Sequence, residues 1–555
     1  MIRLIAFFTF LVLFGCKDPK EEPIVIEEPK KETAPFVWEG ANLYFLLTDR
    51  FNNGDLSNDV NFGRNAEAGP LRGFMGGDIK GITEKLNEGY FTDLGVNAIW
   101  ITPVVEQIHG DTDEGTGVSY GYHGYWAKDW TSLDPNFGTE QDLKTFVETA
   151  HSKGIRVLLD AVINHTGPVT EEDLAWPDEW VRLSPVCNFQ NFDGTTACTL
   201  VANLPDIRTD SNQEVELPPQ LVEKWKAEGR YEKEIEELEA FFDRTKYQRA
   251  PRFYIMKWLA DYILDYGIDG YRVDTVKHTE DFVWQEFRIV CDESFEMWKE
   301  NNPDKVIDET PFYMVGEVYN YGISSGKQFD YGDKKVDFYN NAFDALINFD
   351  LRWMADQKST EEVFSVFSQI LNSDLKDYGV LSYMTSHDDG SPFDIDRTKP
   401  FETGTKLLLA PGAAQIYYGD ETARPLKYEG AVGDANLRTF MNWEDVENDT
   451  LTKQVLKHFQ KLGQFRNNHP SVGGGIHKMI SESPYVFSRV YKYEGGEDKV
   501  VVAMDVESEG LIMVSDIFEN GSVIRDSYSG NEFTVDDGKI QIDNPSKLVL
   551  LEQKN

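Results

Sequence analysis

The chain has 555 residues, 41% of them hydrophobic, enough to bury a large core and fill several domains, so wholesale disorder is not its expected state. Its 96 acidic residues against 54 basic ones leave a formal charge of −42, which argues against nucleic-acid binding, because neutralising phosphates needs clustered Lys and Arg. Neutral or cation-bearing ligands suit such a chain, and activity that survives high salt is expected of it.

Residues 1–16, MIRLIAFFTFLVLFGC, place Arg3 before an apolar run too short for a comfortable membrane span, which is the pattern of a secretion signal. The ending Leu13-Phe14-Gly15-Cys16 resembles the bacterial lipobox, in which the cysteine becomes the lipidated first residue. The acidic run after it resembles surface-export signals of Bacteroidetes-type lipoproteins. A bacterial envelope lipoprotein on the outer membrane is therefore expected, with cell-surface exposure left open. Residues 17–35 are rich in Pro, Glu and Lys and predict an extended tether.

From residue 36 onward, strand-like apolar runs alternate with helical patterns. The strand candidates are NLYFLLTDRF, NAIWITPVV, RVLLDAVI, GYRVDTV, YMVGEVY, ALINFDL, LSYMTSHD and AQIYYGDE, and eight such runs suggest a closed parallel barrel. EQDLKTFVETAHSKG predicts a helix ending at Gly154. RFYIMKWLADYILDYG predicts another, with Phe253, Met256, Leu259 and Ile263 on a core stripe and Gly267 as its stop.

The third strand is followed by a long excursion, residues 166–249, that reads as an inserted domain dividing the barrel into 36–165 and 250–468. It holds Cys187 and Cys198, expected to form a disulfide in an oxidising compartment, and VEKWKAEGRYEKEIEELEAFFDR, whose charge spacing suits a solvated helix. Cys291 reads as a buried apolar residue. Residues 469–555 turn to short alternating runs, PYVFSRVYKY, KVVVAMDV, GLIMVSD and KLVLLEQ, which predict a small antiparallel β-sandwich.

Asp274 in GYRVDTVKH, Glu317 in MVGEVY and Asp388 in YMTSHDD each sit at the end of a strand-like run, where a parallel barrel keeps its chemistry. Two carboxyl groups are the minimum for glycosidic cleavage through an oxocarbenium-like transition state, and a third can stabilise positive charge. Arg272, two positions before Asp274, shares its strand face and brings a permanent charge to it.

In chain order, GVNAIWITPV, DAVINH, LPDI, GYRVDTVKH, GEVY, SHDD and GAAQIYYGDE resemble the motifs of the α-amylase family of glycoside hydrolases over nearly the whole mature chain. The resemblance implies an α/β fold, a (β/α)8 TIM barrel with a domain inserted after the third strand and a C-terminal antiparallel β-sandwich. It implies Asp274 as nucleophile, Glu317 as general acid/base with its pKa raised by the site, and Asp388 as stabiliser. It also implies sugar contacts from His123, Tyr125, His165, Arg272, Lys277, His278 and His387.

Two calcium sites are implied by the same resemblance, in keeping with a hard cation's need for oxygen. Asn164, Asp206 and the His278 carbonyl form one; Asn53, Asp55, Asn58, Asp59, the Gly76 carbonyl and Asp78 form the other. Ser386 stands where many members carry Asn, and the Arg that usually follows Asp388 is either Arg397 or absent. The expected activity is retaining hydrolysis of internal α-1,4 bonds in starch-like glucans and malto-oligosaccharides by a monomer with no nucleic-acid partner, held to the membrane by its lipid. The alternatives are a malto-oligosaccharide- or cyclodextrin-preferring or glycosyl-transferring member of the family, and, from another class, a non-catalytic glucan-binding lipoprotein.

Overall fold

The computed structural model describes residues 34–64, 68–113, 115–506, 510–543 and 547–554. The signal segment, Cys16 and all but the end of the tether lie outside the described residues. Among the described residues no helix is long and apolar enough to cross a membrane.

Apolar runs too short for barrel helices, and buried on both faces, close into one parallel barrel in chain order. The strands are β1 Asn42–Leu46, β2 Ala98–Ile101, β3 Arg156–Ala161, β4 Gly270–Val273, β5 Tyr313–Gly316, β6 Ala345–Asn348, β7 Gly379–Tyr383 and β8 Ala413–Tyr417. β1 closes the ring by pairing with β8 at Asn42↔Ala414 and with β2 at Leu43↔Ala98. Each of the expected runs contributes one strand, shorter than the apolar run because the last residues turn into the loops that carry the chemistry.

Local signals set the helix ends. Helix Glu140–Ser152 opens on a Thr139/Asp142 capping box and stops before Gly154, whose φ is +72°. Helix Pro251–Tyr266 opens on Pro and stops at Gly267, φ +70°. Only glycine fits there, since a Cβ would stand 2.0 Å from the Trp298 ring.

The stripe of Phe253, Met256, Leu259 and Ile263 is buried as expected, but so is most of that helix. The inserted domain covers its outer side: Trp180 and Trp225 approach Trp258 at 6.3 and 6.2 Å between ring centroids, and Phe242 approaches Tyr254 at 5.0 Å. Each such ring contributes about 2–3 kcal/mol on burial, enough to fix the insertion against the barrel.

Within the insertion Cys187 and Cys198 form the disulfide, with Cα atoms 5.0 Å apart, and Cys291 is free and buried. The charged stretch departs from expectation. It forms two helices, Pro219–Ala227 and Tyr231–Thr245, separated around Gly229 with φ +74°. They are not simply solvated, because Trp225, Leu238, Phe241 and Phe242 are buried, and Lys224 and Arg230 turn inward to the buried Asp129 at 2.9 and 3.0 Å. Charge spacing marked a solvated face and left the aromatic face unread.

After the last barrel helix, Thr450–Asn468, the chain builds a six-stranded antiparallel sheet and a two-stranded ladder, Gly510–Met513 with Lys539–Ile542. The two faces of the larger sheet serve different cores. Phe487, Val500, Val502 and Leu550 join the barrel's core, whereas Val486, Val501, Ala503, Val549 and Leu551 pack on Ile512, Ile540 and Ile542 of the ladder. Period-two alternation thus ties the sandwich to the barrel.

Candidate active site

The C-terminal ends of β3, β4, β5 and β7 meet at one cleft of about 610 Å³, whose walls include Asp274, Glu317 and Asp388. Arg272 lies beneath it, buried, and its guanidinium reaches Asp274 at 2.6 Å, Asp160 at 3.0 Å and Glu317 at 3.4 Å. The two-residue period of β4 aims Arg272 and Asp274 the same way, and the parallel register sets Arg272 beside Asp160 on β3. Immediately after Asp274 the backbone of Thr275 enters the left-handed region at φ +48°, a costly conformation for a β-branched residue, and its N–H donates to Glu317 at 2.9 Å.

This enclosure separates the proton affinities of the carboxyls. Burial, with repulsion from Asp274 and Asp388, outweighs Arg272 and pushes Glu317 up to about 8. Asp388 has a side chain 35% open to the cleft. Enclosure alone would raise its carboxyl, but the adjacent His387, the Arg272 charge, the Ser386 hydroxyl, which donates at 2.9 Å, and the Arg438 charge hold it below the usual range. Ser386 thus engages the neighbouring carboxylate directly.

His123, Tyr125, His165, Lys277, His278 and His387 line the same cleft; of the expected sugar contacts only Arg272 lies beneath it. The Tyr125 hydroxyl donates to Asp160 at 2.8 Å, and its ring stacks on His387 at 5.2 Å. Burial pushes His387 down to about 4 and lowers His123 and His165 as well, so these imidazoles are neutral near pH 7. The His278 ring bonds the Thr195 carbonyl at 3.0 Å and thereby ties the disulfide loop to the cleft, and Lys277 reaches the Tyr319 carbonyl at 3.2 Å. Arg397 does not enter the cleft wall; it pairs with the buried Asp420 at 2.8 Å.

Asp160 was missed in the sequence, although an acid within the apolar run RVLLDAVI is itself a signal. It collects Arg272, the Tyr125 hydroxyl and the Trp100 indole N–H at 3.1 Å. Arg438 was also missed: it donates to the His387 carbonyl at 3.0 Å and pairs with Asp434 at 2.8 Å, and both residues line the cleft.

The first calcium set converges at the end of β3. The Asn164 amide lies 3.0 Å from an Asp206 oxygen and 3.1 Å from the His278 carbonyl, while its other end faces His165 Nδ1 at 3.3 Å. A neutral His165 that donates from Nε2 to the Tyr125 carbonyl, 3.2 Å away, has a bare Nδ1 and needs a donor there. Turning the Asn164 amide over supplies that donor and leaves three oxygens facing one another, an arrangement a hard cation resolves.

In the second set the amide oxygens of Asn53 and Asn58 are buried without hydrogen-bond partners, and Asn53 donates to Asp59 at 2.8 Å. A Cβ at Gly76 would stand 2.7 Å from an Asp59 oxygen, so that backbone approaches the cluster as only glycine can. These features fit an oxygen-bound cation. Asp55 and Asp78 fit less well: Asp55 accepts from Ser57 and pairs with Lys80, and Asp78 accepts from the Gly54, Asp55 and Gly81 N–H groups as the cap of helix Ile79–Glu88. Among the described residues no group of three or more His, Cys, Asp or Glu side chains is arranged as a metal site, so a cation in either set would be held by amide and main-chain oxygens together with one or two carboxylates.

The model of the alpha-amylase catalytic domain matches residues 45–469. A periplasmic alpha-amylase of Escherichia coli K12 is 35% identical over 545 residues, covering 86% of this chain and 74% of that protein. A cyclomaltodextrin glucanotransferase of Geobacillus stearothermophilus is 29% identical, covering 86% of this chain and 61% of the longer enzyme. Among solved structures an Anoxybacillus alpha-amylase superposes with a TM-score of 0.65 at 23% identity, over 94% of this chain and all of that one, a likeness of fold. With the barrel closed and the motifs of His165, Asp274, Glu317 and Asp388 in one cleft, the chain belongs to the alpha-amylase family, glycoside hydrolase family 13, and is a glycoside hydrolase of a retaining family.

Proposed function

We propose that this enzyme cleaves internal α-1,4-glucosidic bonds of starch-like glucans and malto-oligosaccharides and passes the glycosyl unit to water. The observation that carries the reading is the single Arg272 guanidinium in contact with both Asp274 and Glu317, which fixes side by side a carboxylate and a carboxyl raised to about 8.

Asp274 attacks the anomeric carbon as Glu317 gives its proton to the glycosidic oxygen; the bond between them breaks and the leaving chain departs as a neutral alcohol. Asp274, now an ester, has lost its negative charge, so the repulsion that raised Glu317 weakens. Glu317 then takes a proton from water, whose oxygen attacks the same carbon and releases Asp274. Proton transfer of this kind contributes about 10²–10⁴-fold. Asp388, held ionised, accepts from sugar hydroxyls, and Tyr125 offers an aromatic face to the ring.

Calcium, where bound, supplies positive charge and rigidity to the oxygens at the end of β3 and to the 53–59 loop. Asn164, Asp206 and the His278 carbonyl would hold it in the first case; Asn53, Asn58 and Asp59 lead the second. Chelation should lower the unfolding temperature and refilling should restore it; no change either way contradicts both sites. Export to the envelope is supported by the periplasmic relative, and anchoring through Cys16 rests on the lipobox pattern alone.

A second reading is transfer to a sugar acceptor, or preference for short or cyclic malto-oligosaccharides. It is favoured by the exposed rings of Phe189 and Tyr319 in the cleft wall, which offer an acceptor sugar a surface, and by the glucanotransferase relatives. Product analysis on soluble starch and maltoheptaose, wild type against Glu317→Gln, decides. Fast viscosity loss with mixed short products supports the endo-hydrolase; maltoheptaose lengthened or cut with starch intact supports the second reading. Binding of glucan without any cleavage would make the protein a capture module and overturn both.

A further inference from the structure

The opposite end of the barrel carries a second recess. Two adjoining cavities of about 300 and 160 Å³ share Glu39, Asp377, Tyr378 and Tyr491. Together they run from the starts of β5, β7 and β8 to the edge of the C-terminal domain, far from the strand ends that hold Asp274 and Glu317.

Three half-buried rings line this trough, Trp38, Tyr378 and Tyr491. Trp38 is fixed by stacking on Tyr313, with 3.8 Å between centroids and 11° between planes. Tyr491 lies against Gly474, where a Cβ would stand 3.1 Å from its ring. The Trp38 indole N–H is screened from solvent and has no acceptor. Among the described residues no hydrogen bond or ion pair engages the Tyr378 and Tyr491 hydroxyls or the carboxylates of Glu39 and Asp377.

Fixed aromatic faces beside unengaged hydroxyls and carboxylates are what a neutral polyol needs. The rings cover sugar C–H surfaces, and the carboxylates accept from sugar hydroxyls in charge-assisted bonds. Glu39 and Asp377 are offset by Lys376 in the same wall and by Lys327, whose ammonium lies 4.5 Å over the Tyr378 ring, so no one sign of charge selects an ion, and a purely apolar ligand would strand these charges without partners. A recess between two domains is also where such sites tend to form.

We propose that this trough is a second α-glucan-binding site, which holds a strand of long or insoluble substrate while the cleft at the other end of the barrel cuts. The choice of sugar rests on the proposed function. Its effect would be that of a second attachment point: it raises residence on polymer and leaves turnover of short, soluble substrate unchanged.

The test compares adsorption to granular starch in the full chain carrying Glu317→Gln, with and without Tyr378→Ala/Tyr491→Ala, and the maltoheptaose rate of the same pair in the active background. The expected result is adsorption weakened about tenfold or more, with the maltoheptaose rate unchanged. Asp377→Asn, at an exposed turn whose φ of +77° asparagine tolerates, removes the charge without disturbing the packed rings and should weaken adsorption about threefold as one charge-assisted bond becomes a neutral one. Unchanged adsorption in both variants overturns the proposal, as does an adsorption loss matched by an equal loss of maltoheptaose rate. The adsorption comparison needs no catalysis, so a wild type inert on maltoheptaose would defeat the proposed function while the trough is still decided.

Discussion

Two buried arginines mark the two ends of the barrel, and they are satisfied in opposite ways. Arg272, under the cleft, faces Asp160, Asp274 and Glu317. Arg466, in the last barrel helix, faces no carboxylate among the described residues; its guanidinium donates to the carbonyls of Glu39, Ala41, Leu408, Ala410 and Gly412. Burial lowers Arg466 to about 9, whereas the carboxylates around Arg272 overcome burial and hold it well above its ordinary value. Carbonyl dipoles stitch strand starts together without gathering acids, while one guanidinium set among several acids keeps carboxyls of different proton affinity in one small volume. The first arrangement supports the fold and the second supports chemistry.

The contrast breaks most sharply at Asp274→Asn, expected to lower kcat on maltoheptaose by about 10³-fold or more while the unfolding temperature changes little, since Arg272 keeps Asp160. Next is Arg272→Met, which strands Asp160 and Asp274 together: chemical denaturation should give a loss of about 3–5 kcal/mol, with activity falling in the folded fraction too. Arg466→Met should cost about 3 kcal/mol by leaving carbonyls unsatisfied, with kcat per folded molecule intact. Equal activity losses from the two arginine variants would erase the distinction.

The smallest expected effect sharpens the structural side. His469 bridges Asp498 at 2.8 Å and Glu552 at 2.6 Å, joining the barrel to the C-terminal sheet. Burial would lower its imidazole, but the bonds to both carboxylates outweigh that and push it up to about 9. A raised folded pKa stabilises fully below the unfolded value of about 6.5 and is lost as pH rises through about 9, so at most about 3 kcal/mol should disappear between those limits. Denaturant midpoints at pH 6.5 and 9.5 should therefore diverge in the wild type and converge in His469→Gln.

The barrel was legible because its strands are short continuous apolar runs and the helices between them carry their own caps, as at Thr139 and Gly267. The cleft's carboxyls were legible because each stands where such a run ends. Asp160 was hidden because its partners come from other strands and from the loop of Tyr125, and no local pattern announces them. The break at Gly229 was hidden because charge spacing continues across it, and the inward turn of Lys224 and Arg230 depends on Asp129, roughly a hundred residues earlier. Long-range pairing of polar groups is what the sequence concealed.

The most direct test of the central claim, that Glu317 delivers the proton, is the pH dependence of kcat/KM on maltoheptaose. A carboxyl raised to about 8 must be protonated to act while Asp274 must be ionised, so the profile should be bell-shaped with an alkaline limb that falls about tenfold per pH unit above about 8, and the residual activity of Glu317→Gln should lack this limb. A rate that stays flat through pH 9.5, or a limb that survives in Glu317→Gln, would contradict the account.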